Sequence, residues 1–219
     1  MGEPKREIAT IRIALMLLLL AISVLALVGC LGEEVEKGGG EKGGSETTCA
    51  ELAASDGAWV DDEPPEGATL TGHVDDEWKT VDSDPTPFSG TTAHQSNALD
   101  GPHSHQFLGA SAPLCVNGGE RLFAYVYLDP DTVPEEVMLQ WNDGSSWNHR
   151  AYWGADKIVN VGKEGTESRR YMGPLPPAGE WVRLEVEASE VGLEEREVNG
   201  MSFTLYGGRA TWDVAGKES

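Results

Sequence analysis

The chain has 219 residues, with 16 Lys+Arg against 37 Asp+Glu and a formal net charge of −21. A chain this acidic repels polyanions, which argues against a nucleic-acid partner and keeps the domain itself off anionic lipid headgroups. Three cysteines and a length sufficient for one sizeable core complete the bounds.

In chain order, Lys5, Arg6 and Arg12 precede an apolar run from Ile13 to Val28, broken only by Ser23 and ending in Leu27-Val28-Gly29-Cys30. This is the layout of a secretory signal. Its sixteen residues are short for a spanning helix, which needs about 20. The Leu-Val-Gly-Cys ending resembles the lipobox of prokaryotic lipoproteins. That resemblance implies removal of residues 1–29 and acylation of Cys30, whose diacylglycerol supplies the two chains a stable anchor needs. An uncleaved signal anchor is the alternative. In both cases the basic residues stay inside and the remainder is expected outside, anchored to a membrane at the cell surface or in the periplasm.

After Cys30 the stretch "LGEEVEKGGGEKGGSETT" is almost devoid of apolar residues, so residues 30–48 read as a tether. An 18-residue tether of this kind spans about 25 Å. Residues 49–219 then form one domain. With Cys30 lipidated, Cys49 and Cys115 remain as an even pair in an exported domain, where a disulfide is expected. Such a link would stabilise the fold by roughly 4 kcal/mol; two buried free thiols are the alternative.

The domain shows short runs rich in β-branched and aromatic residues, separated by Gly, Pro, Asn and Asp. They predict strands at 58–61, 68–73, 78–81, 104–108, 121–128, 136–142, 147–153, 180–187, 200–206 and 210–214. Helical turns are possible only at 49–55 and 188–193. In "RLFAYVYL", Leu122, Ala124, Val126 and Leu128 share one face, and Phe123, Tyr125 and Tyr127 the other. Val182, Leu184 and Val186 alternate with Trp181, Arg183, Glu185 and Glu187, as Met201, Phe203 and Leu205 do with Ser202, Thr204 and Tyr206. One apolar row per strand predicts an all-β, two-sheet antiparallel sandwich with few or no helices outside the signal.

The stretch "WNDGSSWNHRAYWG" needs a hairpin turn near Gly144. A three-residue loop, Gly144-Ser145-Ser146, gathers Val137, Leu139, Trp141, Trp147, Ala151 and Trp153 on one face, with His149. An even loop mixes the faces, so the odd loop is favoured. The tryptophans then belong to the core. The opposite row, Gln140, Asn142, Asn148, Arg150 and Tyr152, becomes a candidate ligand surface. Amides and a guanidinium suit sugar hydroxyls, and a tyrosine ring suits an apolar sugar face. Tyr125, Tyr127, Trp181 and Arg183 would extend it if they shared the sheet. An ordinary solvated face is the competing reading.

From "AWVDDEPPEGA" through "LFAYVYLDP", "EVMLQWNDG" and "HRAYWGADKI" to "GMSFTLYGGRATWDVAG", the chain resembles jelly-roll modules of large secreted or surface bacterial proteins, such as those carrying RHS/YD repeats. In outline it is similar to carbohydrate-binding modules and galactose-binding-like domains. The resemblance implies a jelly roll, and one such sandwich hosts many functions. It also implies a possible structural Ca²⁺, for which Asp61, Asp62 and Asp213 are candidates; surface acids are the plainer account.

His103 and His105 fall on one face of a strand and could share a metal, with His94 or His149 as a third ligand. The His-x-His of cupins is followed by a glutamate, but here the next is Glu120. No Gly-x-Ser-x-Gly, His-Glu-x-x-His or phosphate-binding motif is present. The expectation is therefore a non-enzymatic, lipid-anchored binding module, most plausibly for a glycan. An envelope module with a protein partner and no small ligand is the alternative, and a His-x-His metal enzyme a third.

Overall fold

A computed structural model describes residues 57–219. The leader, Cys30, the tether and Cys49 lie outside the described residues, as does the turn expected at 49–55. The strands are β1 Gly57–Val60, β2 Thr69–Gly72, β3 Lys79–Val81, β4 Ala93–Gln95, β5 Leu99–Leu108, β6 Leu114–Val116 and β7 Arg121–Leu128. They continue as β8 Glu136–Asn142, β9 His149–Gly154, β10 Arg170–Gly173, β11 Trp181–Glu187, β12 Arg196–Val198, β13 Gly200–Gly208 and β14 Ala210–Glu218. A single 3-10 turn, Ala188–Val191, follows β11.

Sheet A runs β11-β7-β14-β4-β3, with β1 also paired to β14; sheet B runs β10-β9-β8-β13-β5-β2; β12 and β6 form a ribbon. The chain passes repeatedly from one sheet to the other, as from β7 to β8 and from β13 to β14. The result is a two-sheet sandwich with jelly-roll wiring. One pair departs from the antiparallel expectation: β10 runs parallel to β9. The chain reaches β10 through the long 155–169 loop instead of a tight turn, which permits that direction.

Alternation builds the core. Leu122, Ala124, Val126 and Leu128 of β7 and Leu184 and Val186 of β11 face Leu139, Trp141, Phe203 and Leu205 of sheet B, all buried in one cluster. Each large apolar side chain so enclosed contributes about 1.5–3 kcal/mol. The β8–β9 hairpin has the register of a three-residue loop, with Val137 opposite Trp153, Leu139 opposite Ala151 and Trp141 opposite His149. The turn is fixed locally: Gly144 has φ +84°, Asn142 Oδ1 accepts its N–H, and Asp143 Oδ1 accepts the N–H groups of Ser145 and Ser146. Trp147 is the exception, because β9 begins only at His149 and leaves Trp147 half-buried before it.

Strand β14 runs on past residue 214 because its register shifts between Asp213 and Ala215. The bulge reverses the facing, so Trp212 and then Ala215 point inward. It also brings Lys217 to a buried position, where its Nζ lies 2.8 and 2.9 Å from the two Glu120 carboxylate oxygens. Gly216 allows β1 to close on β14: a Cβ there would lie 2.1 Å from the Gly57 carbonyl oxygen.

Candidate functional site

The outward row of sheet B forms a continuous polar band. Arg150 sits opposite Gln140, Gln140 opposite Ser202, Ser202 opposite Gln106, and Gln106 opposite Thr71. The band therefore crosses β9, β8, β13, β5 and β2, which at about 4.8 Å per strand spacing is a length of about 19 Å. Its middle is recessed. Ser202 and Thr204 are short and buried at 1 % and 5 % exposure, while the flanking Gln140 and Gln106 are partly exposed.

Hydrogen bonds tie one half of this band together. Arg150 Nε donates to Gln140 Oε1 at 2.7 Å, and Gln140 Nε2 donates to Thr204 Oγ1 at 2.7 Å. Thr204 Oγ1 lies 3.2 Å from Ser202 Oγ. Arg150 Nη1 donates to Asn148 Oδ1 at 3.2 Å and to the Ser168 carbonyl at 3.0 Å. On the other half, the Gln106 amide makes no side-chain hydrogen bond among the described residues and remains available for a ligand.

One end of the same face is covered. Met138, Tyr152 and Ile158 form a small second cluster with Val161 and Tyr206 beneath the 155–169 loop. The loop is held by Glu136 Oε2, which accepts the N–H groups of Lys157 and Ile158 at 2.6 and 2.8 Å. It is also held by Arg169, whose guanidinium binds Asp156 and Glu164. Tyr152 is thus a covered ring; burial, and then Glu164, push its phenol upward. Asn142 is buried and engaged in the hairpin turn. The available aromatic is instead Tyr171 of β10, 49 % exposed and 5.3 Å from the Tyr152 ring.

Tyr125 and Tyr127 lie in sheet A, on the outer face of the opposite layer, and do not extend the band; the same holds for Trp181 and Arg183. There the 82–92 loop covers them in part. Phe88 stacks on Tyr125 at 3.7 Å, and Trp181 Nε1 donates to the Thr86 carbonyl at 2.9 Å. Asp62 and Asp213 anchor this loop. Asp62 Oδ1 accepts from Thr91 N and Thr92 N at 2.7 and 2.8 Å. Asp213 Oδ2 accepts from Phe88 N and Ser89 N at 2.7 and 3.1 Å. Both carboxylates face N–H donors, and Asp61 keeps one buried oxygen without a partner.

The histidines form a core cluster between the sheets. His103 Nδ1 lies 2.7 Å from Asp76 Oδ2, and His105 Nε2 lies 2.7 Å from Nδ1 of His94 in sheet A. His94 also stacks on Trp78 at 4.0 Å. His149 is elsewhere, bonded to the Val191 carbonyl and Asp143. Among the described residues no group of three or more His, Cys, Asp or Glu side chains is placed to hold a metal ion.

The residues that complete the band beyond the expected row are Thr71, Gln106, Ser202, Thr204 and Tyr171. Ser202 and Thr204 had shown themselves as a polar row by alternation, but nothing in the sequence joined their strand to β8.

Solved structures with a similar chain path include several carbohydrate-binding modules, and also the Endo-D glycoside hydrolase domain from Streptococcus pneumoniae and the enzymatically active domain of a bacteriophage CBA120 tailspike. TmCBM61, solved in complex with β-1,4-galactotriose, is 11% identical with a TM-score of 0.43, covering 75% of this chain and 99% of that one. The family 11 module from Clostridium thermocellum, solved with a β-1,3-1,4-mixed-linked tetrasaccharide, is 9% identical with a TM-score of 0.40, covering 74% and 93%. The CBM22-1 xylan-binding domain from Paenibacillus barcinonensis Xyn10C is 10% identical with a TM-score of 0.39, covering 74% and 90%. These are similarities of outline only. No family model and no curated protein matches the chain.

Proposed function

We propose that the chain is an exported, lipid-anchored, non-enzymatic module whose sandwich binds a carbohydrate along the outer face of sheet B. The observation that supports this is the band itself: neutral amides, hydroxyls and one guanidinium aligned across β9, β8, β13, β5 and β2, recessed in the middle and bordered by the exposed ring of Tyr171. Sugar hydroxyls require donors and acceptors together, which amides and hydroxyls offer and carboxylates do not. A band of about 19 Å suits an oligosaccharide better than a single sugar. The sheet A tyrosines are no part of this site: both lie on the opposite layer, and Phe88 stacks on the Tyr125 ring.

The test is glycan-array binding followed by titration of the best ligand. Tyr171→Ala and Gln106→Ala, both at positions outside the core, should each weaken binding about fivefold to tenfold. Unchanged affinity in both variants, or a silent array, would reject the site and leave an envelope protein partner as the better account.

The anchor rests on the Leu27-Val28-Gly29-Cys30 ending. Expressed with its leader, the chain should begin at Cys30 and carry a diacylglyceryl group there by mass spectrometry. A membrane-bound chain that keeps residues 1–29 and an unmodified Cys30 would reverse the assignment in favour of a signal anchor. Spectra taken without reductant report the proposed Cys49–Cys115 link, whose second cysteine is buried in β6.

A further inference from the structure

Arg150 differs from most other arginines of the domain in its surroundings. Arg121, Arg169, Arg183, Arg196 and Arg209 each pair with a carboxylate. Arg150 is only 7 % exposed, yet its partners are Gln140, Asn148 and the Ser168 carbonyl, all neutral. The acids on the adjoining loop do not pair with it: Asp156 and Glu164 are held by Arg169, and the Glu167 carboxylate is turned towards Gly192. Burial alone pushes the Arg150 pKa down, as expected for a charge removed from water without a counter-ion. In a chain with 37 acidic residues, this buried cation has no carboxylate partner and sits in a band of neutral polar groups.

The guanidinium is also oriented for use. Nε and Nη1 are fixed by the three neutral acceptors, while Nη2 donates to no atom of the described residues. Nη2 is absent from the polar atoms that are both sealed and unpartnered, so its donors open towards solvent. Beside it stands the exposed Asn148, whose Oδ1 is engaged with Nη1 and whose amide N–H groups remain free to donate.

We propose that Arg150 receives a carboxylate of the ligand on Nη2, so that the preferred glycan is an otherwise neutral oligosaccharide that carries one uronate residue. This inference rests on the carbohydrate site described above. It narrows the chemistry of the ligand: neutral hydroxyls lie along Gln140, Ser202 and Gln106, and one anionic group sits at the β9 end. A charge-assisted hydrogen bond in a recessed site discriminates more strongly than the neutral contacts along the rest of the band.

The test compares matched ligands on the full chain in detergent: an oligosaccharide carrying one uronate residue, its methyl ester, and neutral xylo- and gluco-oligosaccharides of similar length. The acid should bind about tenfold or more tightly than its ester. Arg150→Gln should abolish that preference, bringing acid and ester to similar affinities whatever the common level; Arg150→Lys should retain part of it. The wild-type comparison of acid and ester needs no variant, so it holds even if Arg150→Gln fails to fold. If the ester or a neutral glycan binds as tightly as the acid, the carboxylate assignment falls and the carbohydrate site stands. If no glycan binds, both fall.

Discussion

Asp213 lies on the outer face of β14, opposite Tyr125, and is fully buried by the 82–92 loop. Its two oxygens accept three backbone N–H groups, from Phe88, Ser89 and Val214. Burial pushes its carboxyl up in spite of them, and the neighbouring Asp61 adds to the effect. Asp213→Ala would leave those donors without an acceptor in a site closed to water, at a cost of about 1–3 kcal/mol. Urea denaturation of the wild type and the variant measures it, and equal midpoints would show that the loop does not depend on this carboxylate. The sequence alone marks Asp213 as an acid near the end of the chain, suited to a cation as much as to a loop. The donors that decide the matter come from residues 124 and 125 positions away, and no local pattern announces them. Arg150 was legible as a polar residue on an outward row; that it lacks a carboxylate partner was not, since this depends on where the acids of the 155–169 loop are held.

Among the elements, the β8–β9 hairpin was the most legible. Its register follows from which loop length keeps Val137, Leu139, Trp141, Ala151 and Trp153 on one side, and burial of one face is what makes register readable. Strands β4, β6, β10 and β12 were not predicted: three or four residues are too few for alternation to show, and the equally short β1, β2 and β3 were found by composition alone. The start of β5 was hidden by Gly101 and Pro102, which read as a break yet lie within the strand. The bulge in β14 defeated the parity rule itself: beyond Asp213 the inward positions change from even to odd. The 155–169 loop escaped for a different reason. Its apolar residues Ile158 and Val161 cover the outer face, not the core, so the ring of Tyr152 that alternation presented to solvent is enclosed. Alternation assigns a side chain to a face, and what lies over that face is decided by elements distant in sequence.

At the scale of the whole molecule the two sheets are joined by more than apolar contact. His94 of sheet A and His105 of sheet B are completely buried or nearly so and bonded to each other, with Trp78, Phe203 and Trp212 around them. Asp76 and His103 flank the pair. Burial holds His94 well below its ordinary value of 6.5, and it lowers His105 against the opposing pull of Asp76. The unfolded chain therefore binds more protons than the folded one once the pH drops below about 6.5, and stability declines from there towards acid. Each histidine that stays neutral in the fold costs up to about 1.4 kcal/mol per pH unit. Asp76 adds a second, lower window. Burial raises its carboxyl, but the hydrogen bond from His103, the neighbouring His105 ring and the Asn97 N–H outweigh this and hold it well below 3.8. Its contribution is present above that value and is lost as the pH falls below it. The urea midpoint should thus fall steadily between about pH 6.5 and pH 5, before ordinary carboxylates protonate. His94→Phe, which preserves the stack on Trp78, should show a shallower decline. A wild-type midpoint that stays level across that interval would mean that the imidazoles are charged in the fold, and that the two sheets are held together at this point by an ion pair with Asp76 instead of by neutral rings.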